Sequence, residues 1–175
     1  IGNHEAMNVF GDLRYVSDEE FAAFGDPQRG NAVPAVPLAD YPRHREAFSA
    51  TGTYGRWLRG QNAVIKINGT LFLHGGLSTS FAATPLRTIN DAVRAELSGA
   101  RDFRASDAVA MNPDGPLWYR GLALAPDEQA LPVLQQVLAG QKARRIVMGH
   151  TIQEQGIKLR FNGQLALIDV GMSRR

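Results

Sequence analysis

Cysteine is absent from the 175-residue chain, which excludes a disulfide scaffold and a thiolate metal site but leaves the compartment open between cytoplasm and periplasm. No apolar run approaches the roughly 20 residues that a membrane-spanning helix needs. Neither sign of charge dominates. The 19 Lys and Arg and 17 Asp and Glu are spread along the chain for a net charge of +2, so there is no polybasic arm of the kind that tracks nucleic acid or an anionic bilayer. The sequence pI of about 9.2 reflects only that small basic excess. Internal repeats and long low-complexity tracts are lacking too. No signal peptide is visible, and for a chain that opens on Ile1 the natural start is expected to have been removed or to lie upstream. What is present is ordinary globular composition, with 44% hydrophobic and 21% charged residues, at a length suited to one sizeable domain.

Local signals divide the chain into elements. "SDEEFAAF" predicts a short helix with Ser17 as N-cap and Glu20 reaching back in a capping box. "GDPQRGNAVPAVPLADYP" carries four prolines and predicts an exposed, mobile loop. From Arg43 to Leu58 a weak helical pattern is interrupted by Gly52 and Gly55. "AVIKINGTLFLHGG" reads as two strands closed by the tight-turn pair Asn68-Gly69. "TPLRTINDAVRAELSG" predicts a helix with Thr84 as N-cap and Pro85 in the first position. Its apolar face is Leu86, Ile89, Val93 and Leu97, and Gly99 is the stop. A further helix is expected from Pro126 to Leu138, with Asp127 and Glu128 in its first turn, a kink at Pro132 and Gly140 as terminator. "RRIVMGH" is a buried strand ending in Gly149-His150, and "IKLRFNGQLALIDVG" a hairpin around Asn162-Gly163. Strands and helices alternate among hairpins, so the class is α/β or α+β with a mixed sheet.

The chemistry concentrates around histidine. Of the four histidines, His4 follows Gly2-Asn3, His74 ends "LFLHGG" and His150 ends "IVMGHT". A strand that stops at His beside Gly puts an imidazole at a sheet edge where backbone can approach a ligand closely. His44, between Arg43 and Arg45, reads as a surface residue. Each histidine alone suits a hydrogen-bonded structural role, whereas several in like settings also suit a metal. Imidazole nitrogen binds zinc, iron and manganese, and an Asn carbonyl is a hard neutral donor. Asn3, His74 and His150 could share one divalent ion and leave its charge uncompensated, which favours an anionic substrate such as a phosphate.

"GNHE", "LFLHGG" and "MGHT", in that order, resemble the last three signature motifs of the calcineurin-like metallophosphoesterases. "PLWYRG" and "LIDVG" narrow the resemblance to the bacterial Shewanella-like protein phosphatases of the phosphoprotein phosphatase group, over Gly2 to Gly171. In "MGHTI" Ile152 stands where many calcineurin-like enzymes have a further histidine, a departure shared by the protein phosphatase branch. The resemblance implies an α/β sandwich of two mixed β-sheets flanked by helices, of which residues 1–175 are the C-terminal part of a single domain. It implies a metal-dependent phosphomonoester hydrolase, most simply a protein phosphatase using metal-bound hydroxide. The intact protein is expected to hold two divalent metal ions, Mn2+, Fe2+/Fe3+ or Zn2+. Asn3, His74 and His150 fall on ligands of the second metal, His4 on the proton donor to the leaving oxygen, and Glu5 on a loop buttress. An imidazole suits that proton transfer because its ordinary pKa lies near neutrality.

Other positions stay open between two readings. Arg120 is either a bidentate phosphate clamp or a surface arginine. Trp118 and Tyr119 either pack or line a substrate groove. Arg56 and Arg59 are either solvated or turned toward an acidic phosphopeptide. Asp169 either supports a ligating histidine or caps a turn.

Two upstream family motifs, Gly-Asp-x-His-Gly and Gly-Asp-x-x-Asp-Arg-Gly, have no counterpart here, and "FGDLRY" follows GNHE and lacks the histidine. Three neutral ligands offset none of a dication's charge. The chain alone is therefore expected to turn over little, with open sheet edges that favour association. The expected partner is a phosphoprotein or phosphorylated small molecule, with neither nucleic acid nor membrane, and the oligomeric state is undetermined. Alternatives are a small-molecule or dinucleoside polyphosphate phosphatase, or a non-catalytic binding module that kept the fold and lost the chemistry.

Overall fold

The computed structural model describes residues 1–25 and 40–172. The predicted proline-rich loop lies, apart from its two ends, outside the described residues. Those described fall into two compact units, one made of residues 1–3 and the chain from residue 62 onward, the other of residues 4–61.

The larger unit is built on one five-stranded sheet of order β1-β2-β3-β5-β4. Strands β1 (Val64–Ile67) and β2 (Thr70–Leu73) are antiparallel. Asn68 and Gly69 both have positive φ, 49° and 77°, the backbone that a two-residue turn between right-twisted strands requires. Strand β3 (Arg145–Met148) lies parallel to β2, β5 (Leu165–Leu167) parallel to β3, and β4 (Lys158–Arg160) antiparallel to β5. The α/β class with a mixed sheet and accompanying helices is thus borne out. The strands of the described residues make this single sheet, and the second sheet of the expected sandwich is not among them.

Alternation along the strands separates two faces. Leu71, Leu73, Ile146, Met148, Leu165 and Leu167 are buried on one. The core of the unit also takes Ile89, Val93 and Leu97 from α5 (Leu86–Ser98) and Leu134, Val137 and Leu138 from α7 (Asp127–Gly140). Each such side chain contributes about 1.5–3 kcal/mol when removed from water. On the other face Ile65, Phe72, Val147, Ala166 and Leu159 lie in register across the five strands. Of these, Ile65, Phe72 and Leu159 are 40%, 38% and 66% exposed.

Helix α5 starts one residue later than its sequence predicts. Pro85, extended at ψ 136°, takes the N-cap position without a side-chain cap bond, and Gly99 ends the helix in the left-handed region at φ 78°. The carbonyl of Thr84 accepts from the Gln141 side chain at 2.8 Å. The buried side chain of Asn90 fastens α5 to β1. Its oxygen accepts the N–H groups of Ala63 and Val64 at 2.8 and 3.0 Å, and its nitrogen donates to the Val64 carbonyl at 2.8 Å. Helix α7 continues through Pro132, its sixth residue, to Gly140, although a proline there forgoes one backbone hydrogen bond of the helix. The short α6 (Gly121–Leu124) precedes it. No helix among the described residues is long and apolar enough to cross a membrane.

In the smaller unit α2 (Asp18–Ala22) carries the predicted capping box, with Glu20 N–H to Ser17 Oγ at 3.2 Å and Ser17 N–H to Glu20 Oε2 at 2.8 Å. The weak pattern after Arg43 resolves into α3 (Tyr41–Ala47) and α4 (Thr53–Leu58). A Cβ on Gly52 would stand 2.1 Å from the Glu46 carbonyl oxygen, so only glycine permits this close turn.

His44 is a correction. It is 1% exposed, with ring centroids 5.0, 4.9 and 4.6 Å from Phe21, Phe24 and Phe48. Chain neighbours on a helix point about 100° apart, so flanking arginines say little about the face that His44 occupies. Arg59 is corrected as well: its Nη1 donates to the carbonyls of Phe48 and Ser49 at 3.0 Å each, satisfying backbone beyond α3 rather than standing in solvent. Arg56 is exposed.

Candidate active site

Strands β2 and β3 are parallel neighbours with Leu73 opposite Met148, so their carboxyl ends open at the same edge of the sheet. His74 follows Leu73 directly, and His150 follows β3 after Gly149. The Gly149 N–H donates to the His74 carbonyl at 2.9 Å, carrying the pairing one step past the strands. His150 adopts φ 63°, an uncommon conformation for a residue with a Cβ and one that recurs at functional sites. Asn3, the first residue of α1 (Asn3–Phe10), belongs with this unit.

Three donor atoms meet there. Asn3 Oδ1 lies 2.6 Å from His74 Nε2, which lies 3.0 Å from His150 Nδ1. Asn3 and His150 are 3% and 7% exposed, while His74 is partly open. A neutral imidazole has one bare nitrogen and an amide oxygen only accepts. One proton on His74 Nε2 can serve either neighbour well but not both, whereas a divalent cation would satisfy all three lone pairs at once. The donor set therefore fits a metal of the zinc, iron or manganese type. Among the described residues no group of three or more His, Cys, Asp and Glu side chains gathers. The third donor here is an amide, and the set is neutral.

Arg120, just ahead of α6, turns its guanidinium to this edge. Nη1 donates to the His150 carbonyl and, at 3.2 Å, to Thr151 Oγ1. Trp118 and Tyr119 take the packing role. The Trp118 indole N–H donates to the Ala110 carbonyl at 3.0 Å and its ring stands edge-on to His150, 5.8 Å between centroids at 86°. The Tyr119 ring covers Gly121, where a Cβ would come within 2.2 Å of the phenol oxygen. Burial, with Asp114 nearby, pushes the Tyr119 phenol above its ordinary pKa. Gly75, beside His74, donates its N–H to the Pro116 carbonyl at 2.7 Å, and a Cβ there would meet the Trp118 nitrogen at 2.9 Å. Asp169 caps a turn, accepting the Gly171 N–H at 2.9 Å.

Sequence reasoning thus named four residues that the fold gathers: Asn3, His74, His150 and Arg120. His4 is counted with the other unit, where its exposed ring stacks on Tyr15 at 4.8 Å and 21°. Glu5 is exposed. The carboxylate of "FGDLRY" is engaged elsewhere. Asp12 pairs with Arg14 through contacts of 2.7–3.1 Å, and this hydrogen bonding holds its pKa below the ordinary carboxylate value.

A mixed sheet with two histidines at the carboxyl ends of parallel strands and an asparagine from the start of α1 defines an α/β protein whose fold solved phosphatases share. The cold-active protein-tyrosine phosphatase of a psychrophilic Shewanella matches it with a TM-score of 0.74 and 29% identity, over 97% of this chain and 48% of that one. A crystallised mutant of a cold-active protein tyrosine phosphatase matches with a TM-score of 0.75 and 28% identity, over 97% of this chain and 48% of its own. The chain is similar in sequence to Shewanella-like protein phosphatases and in structure to the Shewanella enzyme. Shewanella-like protein phosphatase 2 of Arabidopsis thaliana is 30% identical over 207 residues, covering 99% of this chain and 52% of that protein. An uncharacterized protein of Schizosaccharomyces pombe is 33% identical over 181 residues, covering 98% of this chain and 50% of its own length. The chain spans about half the length of the curated relatives it matches. No family model matches it.

Proposed function

We propose that this chain supplies part of the active centre of a metal-dependent phosphomonoester hydrolase whose substrate is a phosphorylated protein. The observation that carries the reading is the convergence of Asn3 Oδ1, His74 Nε2 and His150 Nδ1 within 2.6 and 3.0 Å of their neighbours. The names of the Arabidopsis and Shewanella relatives, a protein phosphatase and a protein-tyrosine phosphatase, support the substrate class.

A divalent ion supplies Lewis acidity toward a phosphoryl oxygen and acidifies water at neutral pH. Asn3, His74 and His150 would hold it, and their neutrality leaves its full charge to attract the phosphate. The Arg120 guanidinium, anchored through Nη1 on the His150 carbonyl and Thr151, orients phosphate oxygens as a planar fork. His4 delivers the proton that the leaving alkoxide or phenoxide needs. With no carboxylate in the set, the ion is held weakly, so we infer that the isolated chain turns over little.

The test is a substrate panel with added Mn2+, comparing phosphopeptides, p-nitrophenyl phosphate and a dinucleoside polyphosphate, with His74→Ala as control. Mn2+-dependent hydrolysis that favours phosphopeptides and disappears in His74→Ala supports the reading. Preference for the nucleotide, or hydrolysis indifferent to His74, overturns it.

A further inference from the structure

Glu96 lies on the buried side of α5 and is 1% exposed. A carboxylate removed from water persists only when other groups replace its hydration. Here the replacement is local backbone. Val109 N–H donates to both carboxylate oxygens at 2.9 and 3.1 Å, and Ala110 N–H to Oε2 at 2.7 Å. Arg101 Nε stands 3.7 Å away.

The segment so fastened runs straight to the candidate site. The carbonyl of Ala110 receives the Trp118 indole N–H at 3.0 Å, and the Trp118 ring stands against His150. In the same segment the carbonyl of Pro116 receives the N–H of Gly75, next to His74, at 2.7 Å, and the carbonyl of Asp114 receives that of Ser78 at 3.4 Å. One stretch, residues 109–118, thus touches the loops after both β2 and β3, and Glu96 fixes its near end.

We propose that Glu96 is a positioning residue for the His74/His150 pair, acting through the 109–110 backbone and the Trp118 indole. Its relevance to catalysis rests on the function proposed above, but its effect on ring placement does not. Glu96→Gln removes the carboxylate charge and puts a donor NH2 where Oε1 accepts from the Val109 N–H, setting donor against donor, so residues 109–110 shift and the Trp118 edge leaves His150. Trp118→Phe keeps an aromatic ring but removes the indole N–H together with part of the ring system that stands against His150.

The experiment compares ring-nitrogen NMR signals of His74 and His150 in the metal-free chain, together with thermal midpoint and Mn2+ affinity, for wild type, Glu96→Gln, Trp118→Phe and the double variant. Exposed Glu128→Gln on α7 serves as control. The expected result is displaced His150 signals in both single variants, a double variant no worse than Glu96→Gln, and Mn2+ affinity lowered roughly tenfold or more, the usual effect of losing a group that orients a ligand. Glu128→Gln should change none of these. A folded Glu96→Gln with wild-type ring signals overturns the proposal, as do single-variant effects that simply add. If Glu96→Gln does not fold, Glu96→Asp, which shortens the reach to residues 109–110, decides alone: displaced His150 signals support the proposal, unchanged ones overturn it. Wild type that binds no Mn2+ defeats the functional reading, while the metal-free spectra still decide the role of Glu96.

Discussion

His74 Nε2 faces His150 Nδ1 at 3.0 Å, although 76 residues separate the two along the chain. The pairing follows from the parallel register of β2 and β3, whose last residues, Leu73 and Met148, lie side by side. Removing either imidazole should therefore abolish binding of one ion. Elemental analysis after equilibration with excess Mn2+ and desalting should find one weakly held ion per chain, lost in His74→Ala. Two tightly held ions would mean that further ligands exist in this chain.

His4→Asn removes the proposed proton donor while keeping a polar side chain. Loss of a general acid typically lowers turnover about 100-fold or more. Whatever Mn2+-dependent p-nitrophenyl phosphate hydrolysis the chain shows should fall by that order, with Mn2+ affinity little changed by titration calorimetry.

His44 makes the smaller unit sensitive to acid. Desolvation, then Arg45, pushes its pKa below the ordinary 6.5, with Glu20 opposing. The unfolded chain therefore takes up a proton at a higher pH than the folded one, so stability is full above about 6.5 and declines as the pH falls below it. Thermal midpoints measured between about pH 7.5 and 5 should fall on acidification. His44→Phe, a ring suited to the surrounding phenylalanines, should flatten that slope.

Asn90 satisfies three backbone groups at the edge of β1. Asn90→Ala orphans them in the interior at a cost of about 1–3 kcal/mol for each group that water cannot reach. Urea denaturation should show a lowered midpoint, larger than that of Arg87→Ala on the exposed side of α5.

Ile65, Phe72 and Leu159 share an open apolar row across the sheet. Exposed apolar sheet surface promotes association. Light scattering should show concentration-dependent association of the chain, reduced by Leu159→Lys, and no difference between the two proteins would count against this face.

The features legible in the sequence are those decided within a few residues. Asn68-Gly69 closes its hairpin because two consecutive positive φ values suit that pair. Ser17 and Glu20 cap each other across a single turn, and Gly99 stops α5 because it tolerates the left-handed region. The Thr84 cap failed at the same scale, since a proline in the next position already holds extended backbone.

What tertiary structure decided is which of these residues meet. His4, His74 and His150 share one kind of setting in the sequence, but the parallel pairing of β2 with β3 brings only His74 and His150 together, with the Asn3 oxygen beside them. His44 reads as a surface residue because its neighbours are charged, yet Phe21 of α2, Phe24 beyond it and Phe48 at the end of α3 enclose it. Glu96 carried one faint signal, its place seven residues after Ile89 on the apolar face of α5. Its acceptors' partners at Val109 and Ala110 are set by a loop with no local periodicity. Short-range sterics and hydrogen bonding are written in adjacent residues, whereas burial and convergence arise from strand register and packing over distances that no local pattern encodes.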